Sequence, residues 1–107
     1  MKKILIYNVD EEESDLLKQL CIESELDPIW IKSQKELDAL VKDINTNSVI
    51  IDGKLPKLQI PQHMKSIAIG DEKISSIHQT MRYRHSAVLI RPFFRTAIAM
   101  ALQKLIL

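Results

Sequence analysis

At 107 residues, with 46% hydrophobic and 27% charged residues, the chain has the size and composition of one globular domain built around a single core. No apolar run approaches the roughly 18 residues of a membrane span, and the lone cysteine, Cys21, rules out an internal disulfide and fits a reducing cytoplasm. The formal net charge is only +1, yet residues 1–72 hold nine basic and fourteen acidic groups, while residues 73–107 hold six basic groups and no acid.

The N-terminus, Met1-Lys2-Lys3-Ile4-Leu5-Ile6, starts basic as a signal peptide does, but its apolar run is short and acids follow from Asp10 to Glu13. A first strand over 3–8 is the better reading. A helix follows over about 10–24, with Leu16, Leu17, Leu20 and Cys21 on one face and acids in its first turn, where the helix dipole favours them. Residues 28–32 read as a second strand carrying Trp30. Ser33 and Glu36 then form a capping-box pattern, and Leu37, Leu40, Val41 and Ile44 keep helical spacing over 34–45.

Three more apolar runs, 48–52, 65–70 and 86–90, read as strands. Their unbroken Ile and Val content suits parallel strands covered on both faces. Only twelve residues, with Pro56 and Pro61 among them, separate the third strand from the fourth. That barely meets the length of a parallel crossover, so the helix expected there is missing or shortened. A helix over 72–84 places Ile74, Ile77 and Met81 inward. The last helix starts at Pro92, a favoured first helical position, and buries Phe94, Ile98, Ala101, Leu102 and Leu105. Alternation of this kind predicts an α/β domain with a parallel sheet and helices on both faces.

Several chemistries have no support in the sequence. His63, His78 and His85 lack a metal-ligand spacing, and neither a metal nor a cofactor is expected. With only Gly53 and Gly70 there is no glycine-rich phosphate loop, and no Ser-His or Cys-His motif points to nucleophilic catalysis. A phosphotransferase component of sugar transport with a reactive Cys after its first strand fits poorly, because Asn8-Val9-Asp10-Glu11 contains no Cys.

Three stretches carry a family likeness. They are Lys3-Ile4-Leu5-Ile6-Tyr7-Asn8-Val9-Asp10-Glu11-Glu12-Glu13, then Val49-Ile50-Ile51-Asp52 with Leu55-Pro56, and Arg91-Pro92-Phe93. In this order and spacing the chain resembles the receiver domain of two-component response regulators, over nearly its whole length. The resemblance implies a flavodoxin-like, doubly wound, five-stranded parallel sheet of order 2-1-3-4-5 over residues 1–107. It also implies a site. Asp52 takes the place of the phospho-acceptor, Arg91 that of the family's Lys, and Gly70 that of its Ser/Thr. Asn8 and Val9 stand where two metal-binding acids belong, and Val88 stands at the aromatic switch position.

Most supporting groups of that site are therefore altered. Two readings remain. Asp52 is a remnant paired with Arg91 across the strand ends, in a phosphorylation-independent, non-enzymatic module. Alternatively, Asp52 is a working acceptor, with Asp10 and Glu11 serving as the metal ligands, which requires the first strand to run on by two residues. The expected partners are another protein or a second copy, meeting the last two helices and last strand through Arg82, Arg84, Phe94, Arg95 and Ile98. A C-terminal DNA-binding output domain in a transcription regulator is a further expectation, the chain ending where a receiver ends. No membrane and no small-molecule substrate is expected.

Overall fold

The computed structural model describes residues 2–71 and 86–106. Five strands, β1 (Lys2–Tyr7), β2 (Leu26–Trp30), β3 (Thr46–Asp52), β4 (Lys65–Gly70) and β5 (Ala87–Ile90), form one sheet, with helices α1 (Glu11–Glu23), α2 (Gln34–Leu40) and α3 (Arg95–Ile106) packed on it. The strand order is β2-β1-β3-β4-β5 and every pairing is parallel. The expected α/β fold and strand order are thus both present. The helix expected over 72–84, with His78, Arg82 and Arg84, lies outside the described residues, as does His85.

Successive strand side chains point to opposite faces, and β1 shows how this sorts the core. Ile4 and Ile6 face one layer, where Leu17, Leu20 and Cys21 of α1 meet Ile98, Ala101, Leu102 and Leu105 of α3. Leu5 and Tyr7 face the other, where they join Ile31, Leu37, Val49 and Met64. Each large side chain so buried contributes about 1.5–3 kcal/mol. Cys21 is one of these packing residues, and burial pushes its thiol up to about 12.

Among the described residues the second layer is the thinner one. No helix lies between β3 and β4, which agrees with the short, proline-containing crossover. Residues 53–64 instead run as a strap, with Leu55, Leu58 and Ile60 partly buried against that core. Gln34, at the start of α2, grips the strap: Gln59 N donates to Gln34 Oε1 at 2.7 Å, and Gln34 Nε2 donates to the Gln59 carbonyl at 2.9 Å.

Several boundaries depart from expectation; β3, for one, begins at Thr46, two residues early. Helix α2 stops at Leu40 because Asp43 organises the next turn: its carboxylate accepts from Asn45 N and its carbonyl from Thr46 N, both at 2.9 Å. Such local bonds compete with helix continuation, and Ile44 consequently stands 92% exposed instead of packing. Helix α3 starts at Arg95, not Pro92, because Arg91 N is still bonded to the Gly70 carbonyl at 2.8 Å and the chain must turn before it can coil. Phe94 falls in that turn and is 72% exposed, whereas its expected partners Ile98, Ala101, Leu102 and Leu105 are buried. Strand β2 runs two residues earlier than expected and includes Pro28, and Trp30 on this edge strand is partly buried against the first core layer.

Candidate functional site

The C-terminal ends of parallel strands gather the polar residues of open α/β sheets at one edge. Here that edge holds Asp52 at the end of β3 and Arg91 just after β5. Asp52 is only 3% exposed. Its Oδ2 accepts from Arg91 Nη2 at 2.7 Å, and its Oδ1 accepts from Lys54 N at 2.9 Å. The residue between them is Gly53, whose N donates to the Ile69 carbonyl at 2.8 Å. A Cβ at position 53 would lie 3.0 Å from that oxygen, so a larger residue there presses on β4.

The pairing of Asp52 with Arg91 anticipated from the sequence is joined by a third group, Glu13. Arg91 Nε donates to Glu13 Oε2 at 2.6 Å and Nη2 to Glu13 Oε1 at 2.9 Å. This is the bidentate geometry in which guanidinium and carboxylate bind most strongly. Glu13, and after it Asp52, hold the Arg91 guanidinium protonated well above its ordinary range, against the opposing effect of burial. A lysine at position 91 could not reproduce this fork.

Glu13 is available because of how α1 begins. Asp10 is the N-cap and accepts from Glu13 N at 2.9 Å. In a capping box the residue three positions on reaches back to the N-cap N–H. Here Asn8 Oδ1 takes that N–H at 2.9 Å, and Asn8 Nδ2 donates to Glu13 Oε1 at 2.9 Å. The Glu13 carboxylate is thereby turned away from its own helix and toward Arg91. Ser14 Oγ also donates to Asn8 Oδ1, at 3.1 Å. Asn8 is buried, whereas Val9 is 70% exposed.

The rim of the site is formed by Lys54 and Asp71. Asp71 Oδ1 lies 3.6 Å from Lys54 Nζ and 3.7 Å from Arg91 Nη1, and Arg91 Nη1 is buried without a hydrogen-bond partner. Gly70, at the Ser/Thr position, offers only its backbone carbonyl, which holds Arg91 N. Val88 lies in β5 and is half-buried.

The donor set does not fit the divalent cation that a working receiver needs. Magnesium requires free, hard oxygen ligands. Asn8 Oδ1 already accepts two hydrogen bonds, the Val9 side chain has no donor atom, and the carboxylates of Glu13 and Asp52 are both engaged by Arg91. For the shifted pair, β1 ends at Tyr7, so the two-residue extension it requires is not formed. Asp10 caps α1 and Glu11 is exposed in its first turn. Among the described residues no cluster of His, Cys, Asp and Glu is arranged to hold a metal, and His63 is exposed.

The anticipated interaction face changes in membership. Ile98 is 0% exposed and belongs to the core, so it cannot contact a partner. Phe94 is exposed, and Met100 and Ile106 join it as exposed apolar residues of this region. Arg95 is exposed but bonded to Glu23 and Gln19 of α1. Of the site residues, sequence reasoning missed Glu13, Lys54 and Asp71. The spacing of Asp10 and Glu13, N-cap to third helical residue, was the signal that could have picked Glu13 out of four consecutive acids.

The sequence matches no protein-family model and no curated protein. Solved structures do match. A putative response regulator from Chloroflexus aurantiacus superposes with a TM-score of 0.80 at 16% identity, over 97% of this chain and 96% of that one. A response regulator receiver domain protein from Clostridium thermocellum gives 0.78 at 20% identity, over 99% and 94%. NtrX from Brucella abortus gives 0.76 at 14% identity, with 98% of this chain covering 27% of that longer one. Strand order and these superpositions agree: the chain has the CheY-like fold of response regulator receiver domains.

Proposed function

We propose that the chain is an atypical receiver-like regulatory module that works through protein contacts, without magnesium-dependent phosphorylation of Asp52. One observation carries this reading: the Arg91 guanidinium bridges Glu13 and Asp52, at 2.6–2.9 Å, where a cation would otherwise balance those acids. The module supplies its own fixed positive charge. This cation belongs to the fold itself, so Asp52 is neutralised without a bound ion.

The exposed Phe94, Met100 and Ile106 support a protein partner or a second copy at the α3 side of the molecule. That this fold accounts for only 27% of the longer NtrX chain supports linkage to a further domain, which we read as a C-terminal DNA-binding output domain. Among the described residues no helix is long and apolar enough to cross a membrane.

The test is an amide NMR titration of the full chain with magnesium and beryllofluoride, a phosphoryl mimic. Unchanged resonances of Asp52, Gly70 and Arg91 are expected. Saturable shifts clustered there would replace this reading with that of a phosphorylatable receiver using Asp10 and Glu11.

A further inference from the structure

The strap over residues 53–64 is tied to the site at its origin. The Asp52 carboxylate accepts from Lys54 N at 2.9 Å, and the Asp52 carbonyl accepts from Leu55 N at 3.1 Å. The other carboxylate oxygen is held by Arg91. Further along, Gln34 takes both backbone groups of Gln59 at the surface. At its far end the strap turns through a bond from Met64 N to the Pro61 carbonyl, at 3.0 Å, and Met64 is buried. Between these anchors Leu55, Leu58 and Ile60 are only partly buried, and Pro56 and Pro61 have no N–H to add to any ladder. Segments with few buried apolar contacts and exposed backbone bonds open at lower free energy than the core they cover.

We propose that this strap is a conformational device governed by Asp52: the carboxylate that Arg91 holds in place also fixes the strap's first turn, and freeing it lets the strap lift from α2 as a unit. Lifting uncovers Leu37 and Val49, so a change confined to the site becomes an apolar surface on the α2 side of the sheet. The coupling rests on hydrogen bonds already formed and needs no phosphorylation, so it stands or falls independently of the function proposed above.

The experiment is native-state hydrogen exchange on the full chain, read at single amides. In Asp52→Ala the Gln59 amide, seven positions away, is expected to exchange about tenfold faster, the scale of losing one charge-assisted hydrogen bond, over and above any common acceleration that the amides of β1 and β3 show through lost global stability. If the strap opens as one unit, loss of either anchor accelerates every amide within it. Gln34→Ala should therefore accelerate the Lys54 amide as well, and this surface variant carries the test if Asp52→Ala does not fold. Wild-type exchange at Gln59 in the first variant, or at Lys54 in the second, overturns the proposal. So does exchange of Gln59 in step with the central strands, since the strap would then be no separate unit.

Discussion

The two ends of the sheet each carry an ion pair of the same length, but the two sit in very different surroundings. At the C-terminal edge Arg91 meets Glu13 at 2.6 Å, with side chains 16% and 18% exposed. At the opposite edge Lys3 meets Asp43, also at 2.6 Å, with side chains 32% and 33% exposed. Distance therefore does not rank them. What differs is connectivity and water. Arg91 is shared by two carboxylates, one of them almost fully buried, and it joins α1, β3 and β5. Lys3 joins a strand to a surface turn. Removing one member of a buried set leaves charges that nothing else neutralises, whereas solvent takes over at an exposed pair.

The sharpest way to break this comparison is Arg91→Ala. It leaves Asp52 and Glu13 facing each other without a cation, and a loss of about 3–5 kcal/mol is expected. Denaturant unfolding followed by the fluorescence of Trp30, the one tryptophan, measures it. A double-mutant cycle with Glu13→Ala should give a large coupling energy; additive losses would mean that the fork is incidental.

A smaller effect, of opposite sign, is expected near the other edge. Glu25, just after α1, has φ +61°, the left-handed conformation that closes a helix, and its N donates to the Ile22 carbonyl at 3.0 Å. Glu25→Gly should raise stability by up to about 1 kcal/mol, seen as a higher denaturation midpoint with the Arg91 bonds untouched. A lowered midpoint would show that the Glu25 side chain contributes more than its backbone strain removes.

The smallest effect belongs to Lys3→Met, which should leave the unfolding midpoint near its wild-type value. Its signature is in titration. The Lys3 ammonium, and then Asn45 N–H, hold the Asp43 carboxyl below its ordinary value. Because the folded value is depressed, the pair contributes above the unfolded carboxylate value and is lost as pH falls through the folded one. In Lys3→Met the Asp43 carbon resonance should titrate at higher pH, short of the ordinary value because the Asn45 bond remains. An unmoved titration would mean that the turn alone sets it.

The layout of the fold was readable because it is written in period and length. Strand runs of Ile and Val, caps such as Ser33, and a twelve-residue crossover that leaves little room for a helix all act locally. The pairing of Asp52 with Arg91 was readable too, since both residues end strands that topology brings together. Glu13 was not. Four acids in a row look alike until the cap is fixed, and it is Asn8, by taking Asp10 N–H, that turns one of them inward. Ile44 and Phe94 failed for a related reason. Each keeps a helical period, but Asp43 stops α2 first and the bond from Arg91 N to Gly70 delays α3.

Pro28 has a consequence for assembly. The bond from Ile31 N to the Ile6 carbonyl, at 3.0 Å, fixes which β2 residues face β1. By strand alternation Pro28 lies on the outward side, so the free border of the sheet has a gap in its row of N–H donors. An added strand from another molecule would find no continuous ladder there. The domain thus leaves Phe94 and Met100 exposed yet resists growth of its sheet into a fibril from the β2 border.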